Sequence, residues 1–226
     1  MTNDLAVVMV GGTGAVGGQA ARVLAGMKEV RRLTLLGRRT VEGLAGSVVS
    51  QAVVDIFQPG SYQHLLGGHR QAVCTLGVGQ PSKVSKAEFV AVDKDAVIGF
   101  ATACKTAGVQ HFELLGSVAA DPKASSFYLR TKGELREALV ALNFERLSIF
   151  QPSVILTPTN RYDIWQGLLL AAWPRISVLL PGTWRKYRGI RVDTLGTAMA
   201  KNLLTDGGGT EILEWDEFQR VAIIRP

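Results

Sequence analysis

Cysteine and histidine are scarce in this chain, two of the former and three of the latter among 226 residues. Cys74 and Cys104 have no metal-ligand spacing and make no disulfide framework; both read as reduced, buried residues, one in a strand and one in a helix. His64, His69 and His111 show no ligand spacing either, which argues against a metal hydrolase and leaves no metal site to assign. Long apolar runs are also missing. The richest one, GLLLAAW, is cut by Pro174 and Arg175 far short of the roughly 20 residues that cross a bilayer, so it reads as part of a buried wall and not as a membrane span. Repeats, low-complexity segments and Pro/Gly/Ser linkers do not occur. The chain opens on a strand-like run without the basic start, apolar core and small-residue cleavage site of a signal peptide, so the expected location is cytoplasmic.

Charge is present without being concentrated. The net charge is +6, but Arg31-Arg32, Arg38-Arg39 and RKYR at 185–188 lie far apart, and no helix-turn-helix, zinc or RNA-binding signature accompanies them. No nucleic-acid partner is expected; the excess suits a solvated surface and a small anionic ligand. With 47% hydrophobic and 19% charged residues the chain is a folded globular protein, and its length suits one domain spanning 1–226.

What is there in quantity is alternation. LAVVMV (5–10), RLTLLG (32–37), SVVSQAVVD (47–55), QAVCTL (71–76), HFELLG (111–116) and FERLSIFQ (144–151) are short runs, mostly apolar on both faces. Between them QAARVLAGM, KAEFVAVDKDAVIGFATACKTAG and SFYLRTKGELREALVAL carry apolar residues at helical spacing, the second ending at Gly108 as a C-cap. Strands alternating with crossover helices predict an α/β fold with a doubly wound, mostly parallel sheet. After Pro152 regularity weakens, and residues about 153–192 with the C-terminus read as a small substrate-side lobe of irregular segments and short helices. DTLGTAMAKNLL then reads as a helix capped by Asp193, and TEILEW as a last strand.

Within GGTGAVG, Gly11, Gly12, Gly14 and Gly17 follow the first strand and open the first helix. That setting makes Gly11, Gly12, Thr13, Gly14, Ala15, Val16 and Gly17 a phosphate cradle, because helix N-terminal amides can meet a pyrophosphate only where side chains do not block it. The fold is then of the Rossmann type. At the end of the second strand an acidic residue would bond the adenosine ribose, and an arginine would meet a 2′-phosphate instead. Arg38 and Arg39 stand there, so NADP(H) is favoured over NAD(H). Asp55, followed by Ile56, is placed to meet the adenine edge or to cap a helix; Leu76 and Gly77 either let the cofactor backbone pass or form a turn. Downstream, Tyr128 and Lys132 are four apart and share a helix face, while Ser117 ends the fifth strand, where open parallel sheets place their sites.

On the glycine turn, Ser117 and the Tyr128–Lys132 pair, the chain resembles the short-chain dehydrogenase/reductase superfamily. GGTGAVG, LTLLGRR, VVDIF, FVAVDKDAV, HFELLGS, FYLRTKGELREAL and FQPSVIL are similar, in order, to the atypical subgroup of the Tat-interacting-protein oxidoreductases, over residues about 5–157. The resemblance implies hydride transfer on a small or medium-sized carbonyl or alcohol, with Tyr128 exchanging the proton and Ser117 polarising the reacting oxygen. Lys132 would bind the nicotinamide ribose and favour the phenolate of Tyr128, and Val154 would present its backbone to the nicotinamide amide. A homodimer is compatible with the exposed faces of the long helices. Two positions depart from the family pattern: Asp93 stands where many members have asparagine, and Ser153 where the subgroup tends to have glycine. The alternative to an enzyme is a regulator that binds NADP(H) and offers a cofactor-dependent surface to a protein partner.

Overall fold

Leu5–Val10 forms β1, and its alternation explains the architecture: Val7 and Met9 face one side of a sheet, Val8 and Val10 the other, and all four are buried. A computed structural model describes residues 4–157 and 180–224. After β1 come α1 (Ala15–Gly26), β2 (Val30–Gly37), β3 (Val49–Val53) and β4 (Gln71–Cys74). A composite helix follows, built of α2 (Lys86–Val90), a π-helical turn (Ala91–Asp95) and α3 (Ala96–Thr106). Then come β5 (His111–Leu115), α4 (Phe127–Ala141), β6 (Arg146–Phe150), β7 (Ile155–Leu156), β8 (Ile190–Arg191), α5 (Val192–Asn202), β9 (Gly209–Leu213) and α6 (Trp215–Ala222).

Seven strands form one sheet in the order β3-β2-β1-β4-β5-β6-β9, and every pair in it is parallel. Helices cover both faces. Leu24, Leu195, Met199 and Phe218 of α1, α5 and α6 pack with Val7 and Met9, whereas Phe100, Leu135 and Leu139 of α3 and α4 pack with Val8 and Val10. This is the doubly wound Rossmann fold. The chain winds from β1 outward to β3, then crosses back to β4 on the other side of β1, so the loops after β1 and β4 diverge and open a crevice between them.

Several expected boundaries shift for local reasons. Gly108 does end the long helix, in the left-handed region at φ 89°. The π turn inside that helix leaves no mark in the hydropathy pattern, since apolar spacing continues through it. Asp193 is not the N-cap of α5; Arg191 is, and Asp193 sits inside the first turn, accepting from the Thr194 amide at 2.8 Å and pairing with Arg191. The last strand stops at Leu213, because Glu214 and Glu217 form a reciprocal capping box that starts α6. In the 153–192 segment, β7 pairs with β8 and a 3-10 stretch covers Gly182–Tyr187; GLLLAAW, Pro174 and Arg175 lie outside the described residues.

The ends of β5, β6 and β9 remote from the crevice hold a buried polar knot. His111 Nε2 donates to Ser148 Oγ at 2.7 Å, Ser148 donates to Glu211, and Arg146 Nε donates to Glu211 at 2.7 Å. Asn202 Nδ2 donates to Glu113 Oε1 at 2.9 Å. Burial, with the Arg146 charge nearby, pushes His111 down to about 3, so it folds as the neutral ring. Between that value and the ~6.5 of an unfolded histidine the unfolded chain binds the proton and the folded chain does not. Stability from this residue is therefore complete above the unfolded value and is lost as pH falls toward the folded one. Thermal unfolding of wild type against His111→Gln, which keeps a donor toward Ser148, measures this: the Tm of the variant falls less steeply as pH is lowered through the window. Equal slopes would rule the account out.

Candidate functional site

The site begins with a reversal of chain direction that leaves no room for side chains. Gly11 holds φ +85°, and a Cβ there would lie 2.5 Å from the carbonyl carbon of Thr75 at the end of β4. A Cβ on Gly17 would lie 2.2 Å from the Gly11 carbonyl oxygen. These two glycines close the turn and press α1 onto the sheet. Gly14 caps the helix with backbone alone, donating to Gly11 O at 2.9 Å, and the first turn of α1 has neither a side-chain cap nor an acidic residue. An uncapped helix start of this kind, whose first N–H groups the helix cannot satisfy internally, suits an anion.

Two adjoining clefts share this turn. One, of about 250 Å³, runs from Gly11, Gly12, Thr13 and Gly14 between Arg38–Arg39 and Leu76–Gly77, with Ile56 in its wall. The other, of about 470 Å³, reaches from Gly12–Ala15 to Arg22, Arg39 and Thr40. Arg22, Arg38 and Arg39 have no acidic partner among the described residues. Arg22 is an addition to the residues expected from the sequence. It sits one helical turn after Gly18, and its guanidinium would lie 3.6 Å from a Cβ at that glycine, so the helix period was the available signal.

Not every expected cradle residue faces the crevice. Val16 is 5% exposed and packs in the core under α1, and Gly17 is turned inward as described. Asp55 is the N-cap of no helix; its exposed carboxylate is engaged in a local turn, accepting from the Phe57 amide and from Gln58 Nε2, both at 3.0 Å, and Ile56 supplies the cleft wall at that point.

On the other side of the crevice, Ser117 follows β5, in a loop tied to the chain after β6 by Val118 N–H donating to Pro152 O at 3.0 Å. Its hydroxyl donates to Val118 O at 3.3 Å. Ser126 caps α4 through the Leu129 amide, which places Tyr128 in the first turn and Lys132 one turn later. Tyr128 is half-buried, its ring 5.4 Å from that of Phe89. Lys132 is 6% exposed, and its Nζ donates to Asp93 Oδ1 at 2.7 Å. Asp93 thus meets Lys132 directly, while Ser117 and Tyr128 share no hydrogen bond among the described residues. The carbonyl of Val154 accepts from Ile190 N–H at 2.9 Å, which commits it to the β7–β8 pair. Ser153 is half-buried in the same loop. Cys74, behind the lysine, is fully buried; burial pushes its thiol up to about 12, so it is no nucleophile at neutral pH.

No family model matches the chain. The rat protein HTATIP2 is 35% identical over 211 residues, covering 92% of this chain and 85% of its own. Protein FMP52 of Debaryomyces hansenii, mitochondrial by name, is 26% identical over 211 residues, covering 91% and 92%. Among solved structures, MoeE5 in complex with UDP-glucuronic acid and NAD superposes with a TM-score of 0.71 at 16% identity, over 92% of this chain and 75% of that one. The likeness to MoeE5 establishes the fold. The mitochondrial relatives overturn the cytoplasmic expectation: residues 5–10 read as a strand because they form an interior strand of the sheet, and that carries no address.

The glycines separate packing from binding. Gly17→Ala drives a methyl group into backbone and is expected to lower unfolding stability by about 2–3 kcal/mol. At Gly12 a Cβ meets only a side-chain methyl of Val41, at 3.1 Å, so Gly12→Ala is expected to cost less than about 1 kcal/mol. Urea denaturation of both variants checks the contrast, and equal losses would refute it.

Proposed function

The chain belongs to the Tat-interacting-protein subgroup of the atypical short-chain dehydrogenase/reductases, and from that premise we propose that it is an NADP(H)-dependent oxidoreductase acting on a small or medium-sized carbonyl or alcohol. The observation that carries the reading is the uncapped glycine turn at the sheet's switch point, opening into clefts walled by Arg38 and Arg39. Glycine without a side chain at position 12 keeps the cradle open, so the residues present fit a dinucleotide. The NAD in the MoeE5 complex is consistent with such an occupant on this fold.

In this reading the amides of Gly12–Ala15 bind the pyrophosphate, and the guanidinium groups of Arg38 and Arg39 bind the 2′-phosphate, where a carboxylate would repel it. Ile56 and Leu76 pack on the adenine side, and Gly77 lets the dinucleotide backbone pass. The bound nicotinamide supplies or accepts the hydride. Tyr128 gives or takes the proton of the substrate oxygen, Ser117 polarises that oxygen, and Lys132 binds the nicotinamide ribose and supports the phenolate by its charge. The half-burial of Tyr128 against Phe89 restricts the ring to few positions, which suits a proton donor that must meet its acceptor within hydrogen-bond reach.

Two measurements test it. A fluorescence titration is expected to show tighter binding of NADPH than of NADH, with Arg38→Ala/Arg39→Ala weakening NADPH by at least about tenfold and NADH hardly at all. Tyr128→Phe is expected to lower turnover by about 10²–10⁴-fold with NADPH affinity unchanged. Equal affinities for the two nucleotides would remove the NADP assignment, and undiminished turnover in Tyr128→Phe would remove the proton-transfer role.

A further inference from the structure

A π-helical turn interrupts the composite helix at Ala91–Asp95, and such interruptions re-aim side chains, often at functional sites. Here the re-aimed side chain is Asp93, 4% exposed, whose two carboxylate oxygens serve two different elements. Oδ1 accepts from Lys132 Nζ of α4 at 2.7 Å, and Oδ2 accepts from the Val78 amide at 2.9 Å. The loop holding Val78 passes so close that a Cβ on Gly77 would lie 3.1 Å from Oδ1. Gly77 and Val78 both line the cleft that begins at the glycine turn. The neighbouring residue of the π turn, Lys94, pairs with Glu134 of α4 at 2.9 Å with the charges reversed, which fixes the register of the two helices around the buried pair.

We propose that Asp93 is a positioning residue that couples Lys132 to the Gly77–Val78 wall of the dinucleotide groove. The proposal rests on the oxidoreductase reading above and adds to it a residue with no direct contact to the reacting atoms. A buried ammonium keeps its place only where an opposite charge compensates its lost hydration. Phe89 covers Lys132 on one side, its ring centre 5.9 Å from Nζ, and Asp93 supplies the charge on the other. Because the same carboxylate holds the Val78 amide, the lysine and the loop move as one body. An asparagine at this place would keep an acceptor for the amide and lose the charge. The carboxylate therefore makes the lysine's position depend on residue 93 in a way that a neutral side chain does not reproduce.

The experiment uses the full chain with two probes: NADPH, which spans the whole groove, and adenosine 2′,5′-bisphosphate, which ends before the nicotinamide. Asp93→Asn is expected to weaken NADPH by at least about tenfold, as loss of a buried charge partner warrants, with the bisphosphate unchanged. In a Lys132→Met background the same substitution is expected to have almost no further effect on NADPH, because the charge it would compensate is gone. Asp93→Ser replaces the asparagine variant if that one does not fold. Equal weakening of both probes would reveal a merely structural role and overturn the proposal, as would wild-type NADPH affinity in Asp93→Asn or an undiminished effect in the Lys132→Met background. Binding of neither probe by the wild type would defeat the dinucleotide reading itself and this proposal with it; where the wild type does bind the bisphosphate, that reading stands and any failure belongs to Asp93 alone.

Discussion

Close contact between the first strand's turn and the end of β4 is the constraint on which the rest of the structure depends. Gly11 and Gly17 approach backbone that any side chain would strike, and this contact lets α1 start within a few residues of β1 and lie flat on the sheet. The core under α1 follows from it, since Val16, Ala20 and Leu24 reach Met9 only from that height. So does the crevice, because the loops after β1 and β4 separate where these backbones touch.

Polar groups are treated in opposite ways at the two ends of the strands. At the far end His111, Ser148, Glu211, Arg146 and Asn202 satisfy one another in a closed, buried network. Glu113 adds one bond to it, accepting from Asn202 at Oε1; burial pushes its carboxyl well up, and its Oε2 has no hydrogen-bond partner among the described residues. At the crevice end the α1 amides lack a side-chain cap and three guanidinium groups lack an acid among the described residues, while the buried Lys132 is compensated by Asp93. Pairing most of the buried polar groups at one end while donors stay open at the other gives the crevice end the electrostatics that suit an anion.

Most of the fold was legible in the sequence because parallel strands buried on both faces advertise themselves as apolar runs. Expected and observed strands agree within a residue or two, and LAVVMV without error. Boundaries failed where a side chain had two uses: Asp193 bonds its own turn and Arg191 instead of capping, and Glu214 ends a strand by starting a capping box. In the candidate site, the glycine turn and the two arginines after β2 were readable from spacing. The direction in which Val16 points, the turn that occupies Asp55 and the arrival of Arg22 were not, since each depends on the packing angle of a helix or the course of a loop. Asp93 drew attention only as a departure from a family pattern; its bond to Lys132 joins residues 39 apart and rests on a π turn that hydropathy does not reveal.

The central claim, that the glycine turn and the clefts beside it hold a phosphorylated dinucleotide, is tested most directly by a crystal structure of the protein grown with NADPH. The account predicts the pyrophosphate on the amides of Gly12–Ala15 and the 2′-phosphate against Arg38 and Arg39. Nucleotide bound elsewhere, or a crevice still open at saturating NADPH, would contradict it.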